Sequence, residues 1–135
     1  MRILIIDDDP AGTDLLEMLL APSNAVIRRA CDGESGIALA IEFKPELILL
    51  DYLMPGLDGL QTTKELRKFS KAPILILSVL DDPSILAKVL NHGADDYLVK
   101  PVSREILFAH INNLMRRADI PHKKFPQLLI PVNPI

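Results

Sequence analysis

Cysteine is nearly absent. Cys31 is the only one in 135 residues, so no internal disulfide can form, and a reducing compartment fits best. Cys31 itself reads most simply as a small buried hydrophobe. Long apolar runs are also missing. Ile3-Leu4-Ile5-Ile6 breaks at Asp7, far too short for a signal peptide or a membrane span. There is no basic excess either: the net charge is −3, which gives no support for direct nucleic-acid binding by this chain. No internal sequence repeat is visible. What remains is a chain that is 49% apolar and long enough for one globular domain with its own core. The expectation is a soluble, cytoplasmic protein with no membrane partner.

The apolar runs are short and regularly spaced. Residues 3–6 read as a first strand, followed by Asp7, Asp8, Asp9 and Pro10. Asp9 suits a helix N-cap and Pro10 the first helical position. Leu15, Leu16, Met18, Leu19 and Leu20 then predict a wide apolar helical face, ended by Pro22-Ser23-Asn24. Residues 25–30 read as a second strand and Asp32-Gly33 as a turn. Ile37, Ala38, Ile41 and Phe43 belong to a second helix that stops before Pro45. Leu47 to Leu50 form a continuous apolar run that ends in Asp51, as expected of a strand buried on both faces.

Asp58-Gly59 opens a third helix, with Leu60, Leu66 and Phe69 as inward candidates. Pro73 to Leu77 read as a fourth strand ending at Ser78. Asp82-Pro83 opens a fourth helix carrying Ile85, Leu86, Val89 and Leu90, which Gly93 stops. A fifth strand over 95–99 leads to Lys100-Pro101. Ser103 caps a fifth helix with Ile106, Leu107, Ile111, Leu114 and Met115 on its apolar face. Strands alternating with helices predict an α/β fold, a doubly wound (βα)5 parallel sheet with helices on both faces. After Arg117 the composition changes: residues 118–135 hold Pro121, Pro126, Pro131 and Pro134 and show no helical period. They read as a linker or extended arm after a domain spanning 1–117.

In a parallel sheet the strand ends share one edge, where ligands gather. That edge would hold Asp7, Asp8, Asp51, Ser78 and Lys100. Asp51 alone is equally well read as a solvated loop aspartate. Three carboxylates in a small space, however, repel each other and call for a cation. An all-oxygen set of one or two carboxylates, a carbonyl and waters suits Mg2+. With the Lys100 ammonium and the Ser78 hydroxyl added, the group would stabilise a phosphoryl group in transfer to the Asp51 carboxylate.

The chain resembles the receiver domain of bacterial two-component response regulators. The residues that carry the resemblance are Ile5-Ile6-Asp7-Asp8-Asp9-Pro10, Asp51-Tyr52-Leu53-Met54-Pro55-Gly56-Leu57-Asp58-Gly59, Ser78, and Gly93-Ala94-Asp95-Asp96-Tyr97-Leu98-Val99-Lys100-Pro101. It spans roughly residues 2–117 and implies strand order 2-1-3-4-5. It further implies that Asp51 is the phosphoacceptor and that Asp8 is a direct Mg2+ ligand, with Asp7 acting largely through water and the Leu53 backbone carbonyl completing the set. By the same resemblance Lys100 pairs with phosphoryl oxygens, and the Lys100–Pro101 bond is cis. Ser78 and Tyr97 match the family's switch pair, coupling the site to the surface of helix four, strand five and helix five. Asp9 and Asp58 read as helix caps.

The implied function is a switch that accepts a phosphoryl group from a histidine kinase and controls an output domain or effector, with transcription regulation one outlet. It would not be an enzyme beyond catalysing its own phosphorylation and dephosphorylation. A homodimer through helix four, strand five and helix five is a further expectation, with Glu105, Arg116 and Asp95 or Asp96 as candidate charged partners. Gln127-Leu128-Leu129-Ile130 is expected to pair with a sheet edge or a neighbouring chain.

Val79 departs from the alanine or glycine usual in the family and is expected to narrow access to Asp51. Leu53 and Leu80 offer no hydrogen bond to a hydrolytic water, so the phosphoryl state is expected to be long-lived. The alternative reading is a receiver-fold interaction module acting without phosphorylation. A phosphatase of the haloacid dehalogenase type fits less well, because the position two residues after Asp51 is Leu53 rather than aspartate.

Overall fold

The computed structural model describes residues 1–118. The expected arm over 118–135, with Gln127–Ile130, therefore lies outside the described residues except for Ala118, which follows the last helix. Five strands form one parallel sheet: β1 (Arg2–Ile6), β2 (Val26–Ala30), β3 (Leu47–Asp51), β4 (Ile74–Ser78) and β5 (Asp96–Val99). The helices between and after them are α1 (Pro10–Leu20), α2 (Gly33–Phe43), α3 (Gly59–Leu66), α4 (Pro83–Asn91) and α5 (Arg104–Arg117), and one 3-10 turn, Ala21–Ser23, follows α1. The strand order is β2-β1-β3-β4-β5, as the resemblance implied. The Lys100–Pro101 bond is cis, also as implied.

The pleat sends successive side chains to opposite faces, and this sorts the apolar runs into two cores. Ile3, Ile5, Leu49, Leu75 and Leu77 face α1 and α5, where they meet Leu16, Leu20, Phe108 and Ile111. Leu4, Ile6, Ile48, Leu50 and Ile76 face the other way, onto Ala40, Leu66 and Val89 of α2, α3 and α4. Every residue of β3 and β4 is buried, which explains their unbroken apolar runs. β2 is an edge strand and keeps Arg28 and Arg29 exposed.

The aspartate caps form as expected. Asp9 accepts a hydrogen bond from the Ala11 N–H, and Asp82 accepts one from Ser84. Asp58 and Gln61 make a reciprocal capping box at α3, and Ser103 caps α5.

Several expectations need correction. Asp32-Gly33 is no free turn: Asp32 caps α2 and Gly33 is its first residue. Leu15, Met18, Ile41, Phe69 and Ile106 are exposed, so the apolar faces of α1, α2 and α5 are narrower than their apolar residues suggest, and α3 ends before Phe69. Cys31 is exposed as well, because it follows β2 at the open edge of the sheet rather than a central strand. Among the described residues no helix is long and apolar enough to cross a membrane.

Candidate functional site

The strand register sets the site. Ile6 pairs with Leu50, so Asp7 leaves β1 beside Asp51, the last residue of β3. Asp51 pairs with Leu77 and Ser78 with Val99, so Ser78 and Lys100 follow along the same edge. The loop after Asp51 turns sharply into α3, with the Gly59 N–H donating to the Tyr52 carbonyl at 2.8 Å. Only glycine fits at 59: a Cβ there would lie 2.7 Å from the Tyr52 Cα.

Asp7, Asp8 and Asp51 each offer a carboxylate oxygen, and these atoms lie within 4.8 Å of one another. Asp7 is buried, and both its oxygens are engaged. One accepts the Asp9 N–H at 3.0 Å; the other accepts the Lys100 ammonium at 3.1 Å. Lys100 Nζ also lies 3.8 Å from Asp51 Oδ1. Asp8 is exposed, whereas Asp51 is only 9% exposed. Burial pushes the Asp51 carboxyl up to about 6, against the pull of the Lys100 ammonium; the Asp7 carboxylate adds to the rise and a hydrogen bond with the Leu53 backbone opposes it.

The arrangement can hold a hard cation. Its donors are all oxygen, and one ammonium cannot offset three carboxylates. Cys31 lines an adjoining cleft of about 210 Å3 together with Asp7, Asp8 and Thr13.

Ser78 is fully buried and its Oγ accepts the Leu80 N–H at 3.1 Å. The Tyr97 hydroxyl donates to the Leu80 carbonyl at 2.7 Å. Both sides of the Leu80 residue are thus tied, one to each member of the pair expected to switch. Sequence reasoning did not find this bridge, because backbone groups carry no side-chain signature. Val79 is 63% exposed and lines a groove of about 420 Å3 with Leu15, Leu16, Lys100 and Val102.

At the N-terminal end of β5 the acidic pair is engaged within the chain. Asp95 binds Arg67 at 2.6 Å and Asp96 binds His110 Nδ1 at 2.5 Å, while Glu105 and Arg116 remain exposed. Arg104 donates to the Leu19 and Met18 carbonyls at the end of α1, fastening α5 to it. Neither the Arg67 nor the Arg104 contact was anticipated.

The model of the response regulator receiver domain family matches residues 3–112, and the chain belongs to that family. It is similar to the DNA-binding dual master transcriptional regulator RpaA of Synechocystis sp., with 40% identity over 121 residues covering 87% of this chain and 50% of that protein. It is also similar to the transcriptional regulatory protein AfsQ1 of Streptomyces coelicolor, with 37% identity over 117 residues covering 87% of this chain and 52% of that protein. The chain thus spans about half the length of the curated relatives it matches. Among solved structures, a two-component response regulator from Clostridium difficile superposes with a TM-score of 0.83 at 32% identity, covering 87% of this chain and 97% of that one.

Proposed function

We propose that this receiver domain is a phosphorylation-dependent switch in which Asp51 takes a phosphoryl group from the phosphohistidine of a sensor kinase. The observation that carries the proposal is the convergence of Asp7, Asp8 and Asp51 with the Lys100 ammonium, 3.1 Å from Asp7 and 3.8 Å from Asp51. In the transfer an Asp51 oxygen forms the new O–P bond while the P–N bond breaks, and the electron pair leaves on the imidazole nitrogen. Lys100 stands where it can follow the charge on the phosphoryl oxygens.

The donor set fits Mg2+. Asp8, Asp51 and the Leu53 carbonyl would hold the ion directly; Asp7, its oxygens already engaged, would act through water. When bound, the ion would neutralise negative charge on the carboxylates and the phosphoryl oxygens. Ser78 would supply a hydroxyl that hydrogen-bonds the phosphoryl group. Its movement releases the Leu80 N–H, and with it the loop that Tyr97 grips from the other side. The face formed by α4, β5 and α5 then changes, chiefly through α4, toward an effector or a second copy of the chain. That the relatives are transcriptional regulators supports a transcriptional output, reached through a segment or partner other than residues 1–118. The chain would work in the cytoplasm and catalyse nothing beyond its own phosphorylation and dephosphorylation.

Phosphoryl uptake from acetyl phosphate, with and without Mg2+, tests this in wild type and Asp51→Asn. Mg2+-dependent labelling lost in the variant is the expected result. Labelling that survives Asp51→Asn contradicts the assignment of the nucleophile. A folded wild type that takes no label from acetyl phosphate or from phosphorylated kinase contradicts the switch and favours a docking module.

A further inference from the structure

Arg67 follows α3 and does more than end it. Its Nε donates to the Gly93 carbonyl at 2.8 Å, and one terminal nitrogen donates to the Ala72 carbonyl at 2.7 Å and to that of Ser70 at 3.3 Å. The other terminal nitrogen binds the Asp95 carboxylate at 2.6 Å. The same Asp95 oxygen accepts the Ile74 N–H at 2.8 Å, and the Asp95 N–H donates back to the Ile74 carbonyl at 2.9 Å. One guanidinium therefore joins the α3–β4 corner, the first residue of β4 and the α4–β5 turn. Gly93 sits at φ +115°, and a Cβ there would lie 2.7 Å from Arg67 Cγ, so the turn is shaped around this arginine.

The node holds one end of α4 only. Leu90, Asn91 and His92 at that end are exposed, but Val89 and Ala94 on either side of them are buried, and the Ala94 N–H donates to the Val89 carbonyl. At the other end Asp81, Asp82, Pro83 and Ser84 are exposed, and Ile85 and Leu86 are half-buried. The loop ahead of them is tied to the site through Leu80. Val89 is the only buried residue of α4.

We propose that Arg67 is a positioning residue that pins the C-terminal end of α4, so that release of Leu80 swings the helix about Val89–Gly93 and displaces its N-terminal turn. The pin stands on geometry alone; the direction of the swing rests on the switch reading above. A half-buried arginine left without Asp95 would lose its counter-charge, so the two residues act as one unit.

Native-state hydrogen exchange on the full chain tests the pin without any phosphoryl group. In wild type the Ala94 and Asp95 amides are expected to open at least about tenfold less often than those of Leu86 to Lys88. Arg67→Gln and Asp95→Asn should each erase that gap by raising exchange at 94 and 95 while the core amides of β3 keep their protection. Arg67→Lys, which keeps the charge but cannot span the three carbonyls, should restore it only in part. Equal protection at both ends of α4 in wild type, or a gap unchanged in Arg67→Gln, overturns the pin. Nitrogen-15 shifts on adding beryllium trifluoride with Mg2+ then test the swing. In wild type they should concentrate at 80–87, and in Arg67→Gln they should spread into 90–95. A bound wild type whose shifts are as large at 90–95 contradicts the swing. A wild type with an intact pin that shows no shift at Asp51 contradicts the switch reading instead.

Discussion

Helices α4 and α5 flank the same edge strand and carry similar apolar signatures, yet the fold uses them in opposite ways. α5 buries Leu107, Phe108, Ile111, Leu114 and Met115 and is fastened to α1 through Arg104. α4 buries only Val89, and Leu90 is 41% exposed. Burial of apolar surface is what resists movement, so α5 belongs to the scaffold and α4 to the part that can shift. The Ser78–Leu80–Tyr97 bridge reaches the loop entering the loosely held helix, where a small displacement costs least.

The sharpest way to break this contrast is truncation on each side. Phe108→Ala should cost about 3–5 kcal/mol, because it opens a void in the core. Leu90→Ala should stay within about 0.5 kcal/mol. Urea denaturation of both variants measures the pair, and a large loss at Leu90 would mean that α4 is anchored like α5.

The next effect concerns the site. The folded Asp51 carboxyl sits near 6, above its ordinary 3.8. The folded state therefore holds this proton more tightly than the unfolded state does. The Asp51 contribution to stability is best at low pH and is lost as pH rises from about 4 to about 6. Without divalent ions at pH 7, Asp51→Asn should be the more stable protein, by on the order of 2 kcal/mol and at most about 3. The gain should vanish below about pH 4 and shrink when Mg2+ is added. A variant less stable than wild type across the whole range would contradict a strained acidic site.

Two smaller effects sharpen the account of the loop. Leu53→Asn or Leu80→Asn should speed loss of label from purified phosphoprotein several-fold, because an apolar side chain cannot orient a hydrolytic water. Label lost from wild type as fast as from either variant would end the idea of a long-lived phosphoryl state. Tyr97→Phe should cost only about 1 kcal/mol through its bond to the Leu80 carbonyl. It should nonetheless blunt the Leu80 amide shift on adding Mg2+ and beryllium trifluoride. An unchanged Leu80 shift in Tyr97→Phe would contradict a loop held from both sides.

Much of this was legible in the residues. Short apolar runs ending in Asp7, Asp51 and Ser78 marked the central strands, since a strand buried on both faces tolerates nothing polar before its end. Asp9, Asp58, Asp82 and Ser103 marked helix starts, because a cap needs only its own side chain and a nearby N–H. Other features were not legible. Met18, Ile41, Phe69 and Ile106 are apolar yet exposed, and a run of apolar residues does not say how wide a helix face the sheet will cover. Cys31 depended on which strand would lie at the edge. Arg67 binds mostly backbone carbonyls, which look the same under every residue. Asp95 and Asp96 read as candidates for pairs between chains, but Arg67 and His110 occupy them first.

The most direct test of the switch itself is a comparison of amide spectra of the full chain before and after adding beryllium trifluoride with Mg2+. The account predicts large shifts at Asp51, Ser78, Leu80 and Tyr97 and through the first turns of α4, with the buried stretch of α5 from Leu107 to Met115 nearly still. Shifts of equal size in both helices, or shifts confined to Asp51 and its immediate neighbours, would contradict it.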